Sequence, residues 1–310
     1  CNFNVKTQNA QLAGAAGVII ANNTTGIITM SGTPTITITI PSVSVSQADG
    51  DAIKAQLALP ATVNATLQVC LPPPNRDGGF DNGIIAHEYC HGVSNRLTGG
   101  PAASSCLTNA EQGGEGWSDW LALISTIKPG DTGAMSRGIG TYALFQNTNG
   151  GGIRRYPYST NMSINPQTYA DLATSTTVHQ RGEIWCDAIW DMTWFLIRDF
   201  GFDPNLYTGN AGNNIAMRLV LEGMKLQPCS PGYINGRDAI LLADDILYSN
   251  AHRCQIWEAF ARRGMGFGAS QGSANAVGDE TVSFTYPAFC LAATAPPDAD
   301  FSAAQTTGSC

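Results

Sequence analysis

The chain has 310 residues, of which 43% are hydrophobic and only 13% charged, and 34 are glycines. This length allows two domains with ordinary hydrophobic cores, and the low charge with abundant glycine fits an extracellular protein rich in loops. The formal net charge of −8 argues against nucleic acid or an anionic membrane as a partner, and the sequence contains no apolar run of the length that a membrane span needs.

The first 68 residues form a predicted unit in which strands alternate with helices. Apolar spacing predicts helices at 6–16 and 49–59, and strands at 17–21, 36–40 and 43–45. Such alternation indicates a small α/β arrangement. The segment contains no His and few acidic residues, so we predict no catalytic group in it.

From about residue 82 the pattern becomes mainly helical. Apolar residues recur at spacings of three and four, which predicts helices near 82–97, 111–126, 178–200, 211–225, 236–248 and 250–263. The prolines at 72–74 predict a stiff linker into this region, and a loop rich in Gly and Asn follows at about 145–153. A mainly helical region preceded by a small α/β segment gives the fold class α+β.

Nine cysteines are many for a cytosolic enzyme, and an oxidising compartment would pair most of them. They lie at positions 1, 70, 90, 106, 186, 229, 254, 290 and 310. The odd number leaves at least one of them unpaired or bonded outside the chain, and the connectivity stays open. For Cys90 a disulfide or a buried thiol is favoured over a role as a metal ligand.

The strongest chemical signal is the pentapeptide His87-Glu88-Tyr89-Cys90-His91. Residues four apart lie on one face of an α-helix, so His87 and His91 can present two imidazoles to a single zinc ion. Glu88 can accept a proton from water at the ion without being a ligand itself. Composition alone would produce the pentapeptide in roughly one such chain per thousand. The remaining alternative is a helix whose two histidines are hydrogen-bonded in the core.

A second motif, Gly114-Glu-Gly-Trp-Ser-Asp-Trp120, contains a carboxylate that can serve as the third zinc ligand beside the two histidines. Catalytic zinc has three protein ligands and one open position, and Glu115 is the candidate for the third ligand. Asp119 lies one helical turn later. Because a ligand histidine usually donates its other N–H to a carboxylate, we expect Asp119 to accept that bond.

Together these motifs resemble the fungalysin family of secreted zinc metallopeptidases, which is related to the thermolysin-like gluzincins. The likeness covers about residues 70–288 and is carried by the stretches 74–101, 114–120, 152–160, 178–185, 227–233 and 236–241. The resemblance implies a secreted enzyme with a thermolysin-like, mainly helical catalytic domain at 69–290. It also implies one catalytic zinc ion, held by His87, His91 and Glu115.

The start of the chain resembles a different module. Residues 1–23, with Pro41-Ser-Val-Ser-Val-Ser-Gln47 after them, are similar to the protease-associated (PA) domain, which accompanies secreted peptidases as a lid or an interaction module. The resemblance implies a partial PA domain at 1–68, inserted in the peptidase. We expect residues 291–310 to be a linker or the start of a further β-type module, and both ends of the chain to be cut.

The resemblance also suggests groups that contact the substrate. His179 occupies the position where thermolysin-like enzymes place the histidine that stabilises the oxyanion, at the start of a helix. A helix-capping or interfacial histidine is the alternative. Arg154 and Tyr169 are further candidates for binding the substrate carbonyl and the oxyanion, although salt bridging is an equally open interpretation for Arg154.

The predicted function is hydrolysis of peptide bonds in protein or peptide substrates by a secreted, monomeric zinc endopeptidase. Zinc would lower the pKa of its water to about 7, Glu88 would carry the proton to the leaving amine, and His179 would help to hold the oxyanion. Thermolysin-like enzymes bind the substrate along an edge strand that would lie before residue 1, so we expect this chain alone to be weakly active or inactive.

Two alternatives to an endopeptidase stay open. One is a non-catalytic protein, either a pseudopeptidase that holds a metal ion or a PA-type interaction module. The other is a gluzincin aminopeptidase, against which the lack of a recognisable Gly-Ala-Met-Glu-Asn motif counts.

Overall fold

The computed structural model describes residues 2–26, 35–59, 62–67 and 75–292. The chain divides into two compact units, Cys1–Pro74 and Asn75–Cys310. The described part of the first unit contains α1 (Phe3–Leu12), β1 (Val18–Ala21), β2 (Ser42–Val45) and α2 (Gln47–Leu57). The described part of the second contains α3 (Asn82–Leu97), α4 (Gly114–Ile124), α5 (Val178–Phe200), α6 (Gly212–Leu226), α7 (Tyr233–Tyr248), α8 (Arg253–Arg262) and α9 (Ala288–Ala292).

In the first unit, β1 and β2 form a parallel two-stranded sheet in which Val18 pairs with Ser42. Ser46 caps helix α2, and its side chain accepts a hydrogen bond from the N–H of Asp49 at 3.2 Å. The helix lies close against β1, since a Cβ at Gly50 would stand 2.2 Å from the Cβ of Ala21. Glycine at position 50 therefore permits this close contact between α2 and β1.

The predicted strand at 36–40 is wrong, because these residues do not pair with the sheet. Instead, the side chain of Gln11, on α1, forms hydrogen bonds with backbone groups of this segment. Its Nε2 donates to the carbonyl of Thr37 at 2.9 Å, and its Oε1 accepts from the N–H of Thr39 at 2.6 Å. Alternating Ile and Thr side chains predicted a strand, but a glutamine from another element satisfies the backbone.

In the second unit the predicted bounds of α3 and α5 agree with the structure, and both helices begin at a capping residue. The side chain of Asp81 accepts from the N–H groups of Gly83 and Ile84 at 2.9 and 3.2 Å. The side chain of Thr177 accepts from the N–H of Gln180 at 3.2 Å. These caps satisfy backbone donors that a helix start leaves free, and so fix where each helix begins.

Helix α5 forms the centre of the second unit, because every residue from 182 to 196 is buried. It packs against α4, α6 and α8. Its contact with α4 is made through glycines: a Cβ at Gly116 would lie 2.4 Å from the carbonyl oxygen of Gly182, and a Cβ at Gly182 would lie 2.3 Å from the Cβ of Glu115. The two helices therefore approach almost backbone to backbone beside Glu115.

Two disulfides link parts of the second unit, Cys106 to Cys229 and Cys254 to Cys290. Cys90 and Cys186 are free and buried, which confirms the buried-thiol interpretation of Cys90. The other three cysteines, at 1, 70 and 310, lie outside the described residues, as do the proline linker at 72–74 and nearly all of the predicted terminal module at 291–310.

Among the described helices, none is both long enough and apolar enough to span a membrane.

Candidate metal centre

Two helices bring three possible metal ligands to one point. His87 and His91 lie one turn apart on α3, and Glu115 lies in the first turn of α4. The Nε2 atoms of the two histidines are 3.1 Å apart, and the Glu115 carboxylate lies 3.2 Å from His87 Nε2 and 3.7 Å from His91 Nε2. In the part of the chain that is described, these three residues form the one group of His, Cys, Asp or Glu side chains close enough to share a metal ion.

The group fits a zinc ion in its chemistry. Two imidazole nitrogens and one carboxylate oxygen are a donor set that zinc accepts, and three protein ligands leave one position open. Glu115 Oε2 is buried and accepts no hydrogen bond of good geometry from the described residues. A buried carboxylate oxygen without a well-aligned hydrogen bond is costly, and a bound cation would reduce that cost.

Asp119 holds the side of His87 that faces away from the other ligands. His87 Nδ1 lies 2.6 Å from Asp119 Oδ1, so Nδ1 donates there and Nε2 is the nitrogen that faces the other ligands. Arg154 Nε donates to Asp119 Oδ2 at 2.7 Å and Arg154 Nη2 donates to Oδ1 at 2.8 Å. The hydroxyl of Tyr158 also donates to Oδ2. Asp119 is thus a buried carboxylate surrounded by donors.

Burial and these contacts shift the pKa values of the side chains in this group in opposite directions. Burial lowers the pKa of His87, but Asp119 and Glu115 outweigh burial and raise it to about 9 when no cation is bound. For His91 burial dominates and lowers the pKa. Burial opposes ionisation of Asp119 as well, yet His87 and Arg154 hold the pKa of Asp119 below its usual range. Asp119 therefore stays ionised and the proton stays on His87.

Glu88 follows His87 on α3, and its side chain is exposed. Within the described chain no hydrogen bond or ion pair occupies its carboxylate. It lies near enough to His91 to favour that histidine's charged form. An unoccupied carboxylate at this position can exchange a proton with water.

His179 lies in the first turn of α5, with its Nε2 3.5 Å from Glu115 Oε2 and its side chain 56% exposed. The cap of this helix is Thr177, so the capping interpretation of His179 is not the one observed. Its imidazole stands at the edge of the group and faces solvent, where it can donate to a molecule bound there.

The structure does not bring all predicted residues to the group. Arg154 reaches it, but its side chain is only 6% exposed and pairs with Asp119, as the salt-bridge interpretation expected. Tyr169 is fully buried, and its hydroxyl donates to Glu111 instead. Sequence reasoning missed Tyr158. The nearest signal was its spacing of four from Arg154, in a segment without regular periodicity.

Comparisons with known proteins agree with this chemistry. Residues 21–269 match the sequence model of the family described as Fungalysin metallopeptidase (M36). "Extracellular metalloproteinase mep" of Aspergillus fumigatus is 46% identical over 217 residues, which is 67% of this chain and 34% of that protein. "Extracellular metalloproteinase 4" is 46% identical over 219 residues in Arthroderma otae and 48% over 206 in Trichophyton tonsurans. The aligned part covers 33% and 32% of those two proteins, so the chain spans about a third of the length of these relatives.

Proposed function

Because the chain belongs to the fungalysin metallopeptidase family, we propose that it carries the zinc centre of a secreted endopeptidase that hydrolyses peptide bonds in proteins. The relatives named extracellular metalloproteinases support both the secreted location and the class of reaction. The proposed ligands are His87, His91 and Glu115.

The observation that carries the proposal is the buried Oε2 atom of Glu115. It accepts no hydrogen bond of good geometry in the described chain, and it lies 3.2 Å from His87 Nε2 and 3.5 Å from His179 Nε2. A shared cation explains why three side chains converge on one point around a buried carboxylate oxygen, and packing alone explains it poorly.

The residues around the centre have distinct proposed roles. Zinc bound here would act as a Lewis acid and make water a nucleophile near neutral pH. Glu88 accepts a proton on its carboxylate and returns it to the leaving amine. His179 donates from its imidazole to the oxygen that becomes negative during the reaction. Asp119 fixes the orientation of His87, and Arg154 keeps Asp119 ionised.

The free, exposed carboxylate of Glu88 favours a catalytic centre over a protein that only holds metal. A purely structural zinc site is closed by four protein ligands, whereas this group offers three and leaves an unpaired base beside the opening. We also propose that the first unit is a partial PA domain. The parallel pair of β1 and β2 with flanking helices supports that assignment.

The variant Glu88→Gln tests the proposal. It keeps the size of the side chain and removes the base, so we expect bound zinc to be unchanged and peptidase activity to fall by at least about a hundredfold, the lower limit usual for a lost general base. Zinc is measured by elemental analysis of the purified chain. Activity is measured on an unstructured protein with and without a chelator.

Glu258→Gln is the matched control, because Glu258 forms an ion pair with Arg198 on the protein surface. It should change neither quantity. If the wild-type chain binds no zinc, the metal assignment fails. If zinc binds but Glu88→Gln cleaves as fast as wild type, the role of Glu88 is wrong.

A further inference from the structure

Tyr158 is a fully buried side chain whose hydroxyl reaches the far side of the metal centre. Asp119 has two carboxylate oxygens, and each has two donors. His87 Nδ1 and Arg154 Nη2 share Oδ1, while Arg154 Nε and the Tyr158 hydroxyl share Oδ2. Tyr158 therefore completes the set of donors around the carboxylate that orients a metal ligand.

The backbone at Tyr158 is fixed from one side by a short antiparallel bridge. The N–H of Arg137 donates to the Tyr158 carbonyl at 3.0 Å, and the N–H of Tyr158 donates to the Arg137 carbonyl at 2.8 Å. Both ends of this bridge are buried, so the phenol ring enters the core from a fixed starting point.

Arg263 fixes the same segment from the opposite side. Its guanidinium is fully buried and is held by Asp191 on α5, with an Nε to Oδ2 distance of 2.8 Å. Arg263 Nη2 also donates to the carbonyl of Ser159, the residue after Tyr158, at 2.9 Å. A hydroxyl fixed in this way cannot leave Asp119 without disturbing two buried networks.

Arg154 is the other donor to Asp119 Oδ2, and it bridges several carboxylate oxygens. Its guanidinium binds both oxygens of Asp119 at 2.7 and 2.8 Å and also lies 3.7 Å from Glu115 Oε2. The Tyr158 hydroxyl donates to Oδ2 and not to Oδ1. It therefore adds a second, differently directed contact that helps to define where Oδ2 lies, and hence the plane of the carboxylate.

We propose that Tyr158 is a positioning residue for the metal centre, which fixes the Asp119 carboxylate so that Oδ1 stays in line with His87 Nδ1. The inference rests on the zinc site of the proposed function. A histidine that is held in one orientation and one tautomer binds metal more tightly than one that is free to rotate. The phenol thus contributes to zinc affinity without touching the ion or the substrate.

The variant Tyr158→Phe removes the hydroxyl and keeps the ring. We expect its zinc affinity to fall about tenfold, the lower end of the range for groups that orient metal ligands. The affinity is measured by competition with a chromophoric chelator, on chains whose fold without metal has been verified by circular dichroism. Tyr233→Phe is the control, because Tyr233 is also buried but donates to the backbone carbonyl of Arg181.

A double-mutant cycle separates positioning from general stability. If Tyr158 acts through Asp119, Tyr158→Phe should lower the zinc affinity of the wild-type chain but should cause no further loss in a chain that already carries Asp119→Asn. Equal losses in both backgrounds would overturn the proposal. So would unchanged zinc affinity in Tyr158→Phe, or an equal loss in Tyr233→Phe.

A second measurement needs no variant at position 158. In an otherwise unaltered chain carrying ¹³C at the Cζ of Tyr158 alone, zinc should shift the resonance of that carbon, since the hydroxyl and the ion are joined through Asp119 and His87. A resonance that zinc leaves unmoved overturns the proposal. Failure of the wild-type chain to bind zinc refutes the proposed function itself, and is thus a separate outcome.

Discussion

At the scale of single residues, Glu111 is a buried acid outside the metal centre. Its Oε1 accepts from the hydroxyl of Tyr169 and from the N–H of Tyr233, while its Oε2 is buried without a hydrogen-bond partner among the described residues. Burial raises the pKa of Glu111 to about 7, against the two hydrogen bonds, which favour the carboxylate. The folded chain therefore binds a proton here more tightly than an unfolded chain does.

This shift predicts a loss of stability as the pH rises. Below the ordinary pKa of 4.5 Glu111 is neutral in both states, and the stability it provides is fully present. Between about 4.5 and 7 only the unfolded chain ionises, so the free energy of unfolding falls, by on the order of 3 kcal/mol in total. Glu111→Gln stays neutral and should lack this part of the pH dependence.

Urea unfolding of both chains at pH 5 and pH 8 checks the prediction. Other titrating groups are present in both chains and cancel in the difference. From pH 5 to pH 8 the free energy of unfolding of Glu111→Gln should rise relative to that of wild type, whereas that of the partly exposed control Glu258→Gln should not. A difference that does not change with pH would show that Glu111 is already ionised in the folded chain.

Single residues also show how far the sequence could predict the site. His87, His91, Glu115 and Asp119 have helical spacing, and helical geometry then fixes which side chains meet. Tyr158 and Tyr169 lie in the segment between α4 and α5, where no period exists and tertiary packing decides the direction of each phenol. Tyr169 reaches Glu111, and Tyr158, which was not predicted, reaches Asp119.

At the scale of elements, the separation between α4 and α5 positions Glu115 relative to His179. The two helices cross at Gly116 and Gly182, where a Cβ at Gly116 would meet backbone at 2.4 Å. Backbone cannot turn aside as a side chain can, so any larger residue must push the helices apart. The 3.5 Å contact between His179 and Glu115 spans this crossing.

Gly116→Ala should therefore lower the free energy of unfolding by roughly 1–3 kcal/mol or more. Because the crossing widens beside Glu115, we expect weaker zinc binding as well. Thermal unfolding and chelator competition measure the two effects.

The matched control is Gly92→Ala on α3, where an added Cβ would meet no atom within 4 Å. There alanine should stabilise the helix by about 0.5–1 kcal/mol, through its higher helix propensity. Equal destabilisation by both changes would contradict the argument from the helix crossing.

The bounds of α3 and α5 were predicted from apolar spacing and agree with the structure. The structure adds the reason why each helix begins where it does, since Asp81 and Thr177 cap them. The strand at 36–40 was not formed because pairing depends on a partner elsewhere in the chain, and Gln11 occupies the backbone groups of Thr37 and Thr39.

At the scale of the whole molecule, the disulfide between Cys106 and Cys229 closes a loop of 123 residues in sequence separation. It joins the segment before α4 to the connection between α6 and α7. The N–H of Ser230 donates to the carbonyl of Cys106 at 2.8 Å beside it, so the two segments are also joined by backbone. This link stabilises the contact between these two segments.

Replacing both cysteines by alanine should lower the free energy of unfolding by roughly 2–5 kcal/mol, since the unfolded chain gains freedom when the loop opens. The midpoint of urea unfolding with and without reductant measures it. The pair Cys254 and Cys290, separated by 36 residues, is the comparison, and its removal should cost somewhat less. If reductant lowers neither midpoint, the disulfides do not contribute to stability.

The sequence predicted oxidised cysteines but could not give their pairing, which depends on how distant segments meet.

The glycine crossing of α4 and α5 also limits which groups of the proposed peptidase centre could move. Helices in contact through their backbones cannot come closer together, so the backbone that carries Glu115 is fixed. His179 is different, because more than half of its side chain is open to solvent. In the proposed enzyme, peptides of different shapes would therefore be accommodated by rotation of the His179 imidazole rather than by movement of the helices.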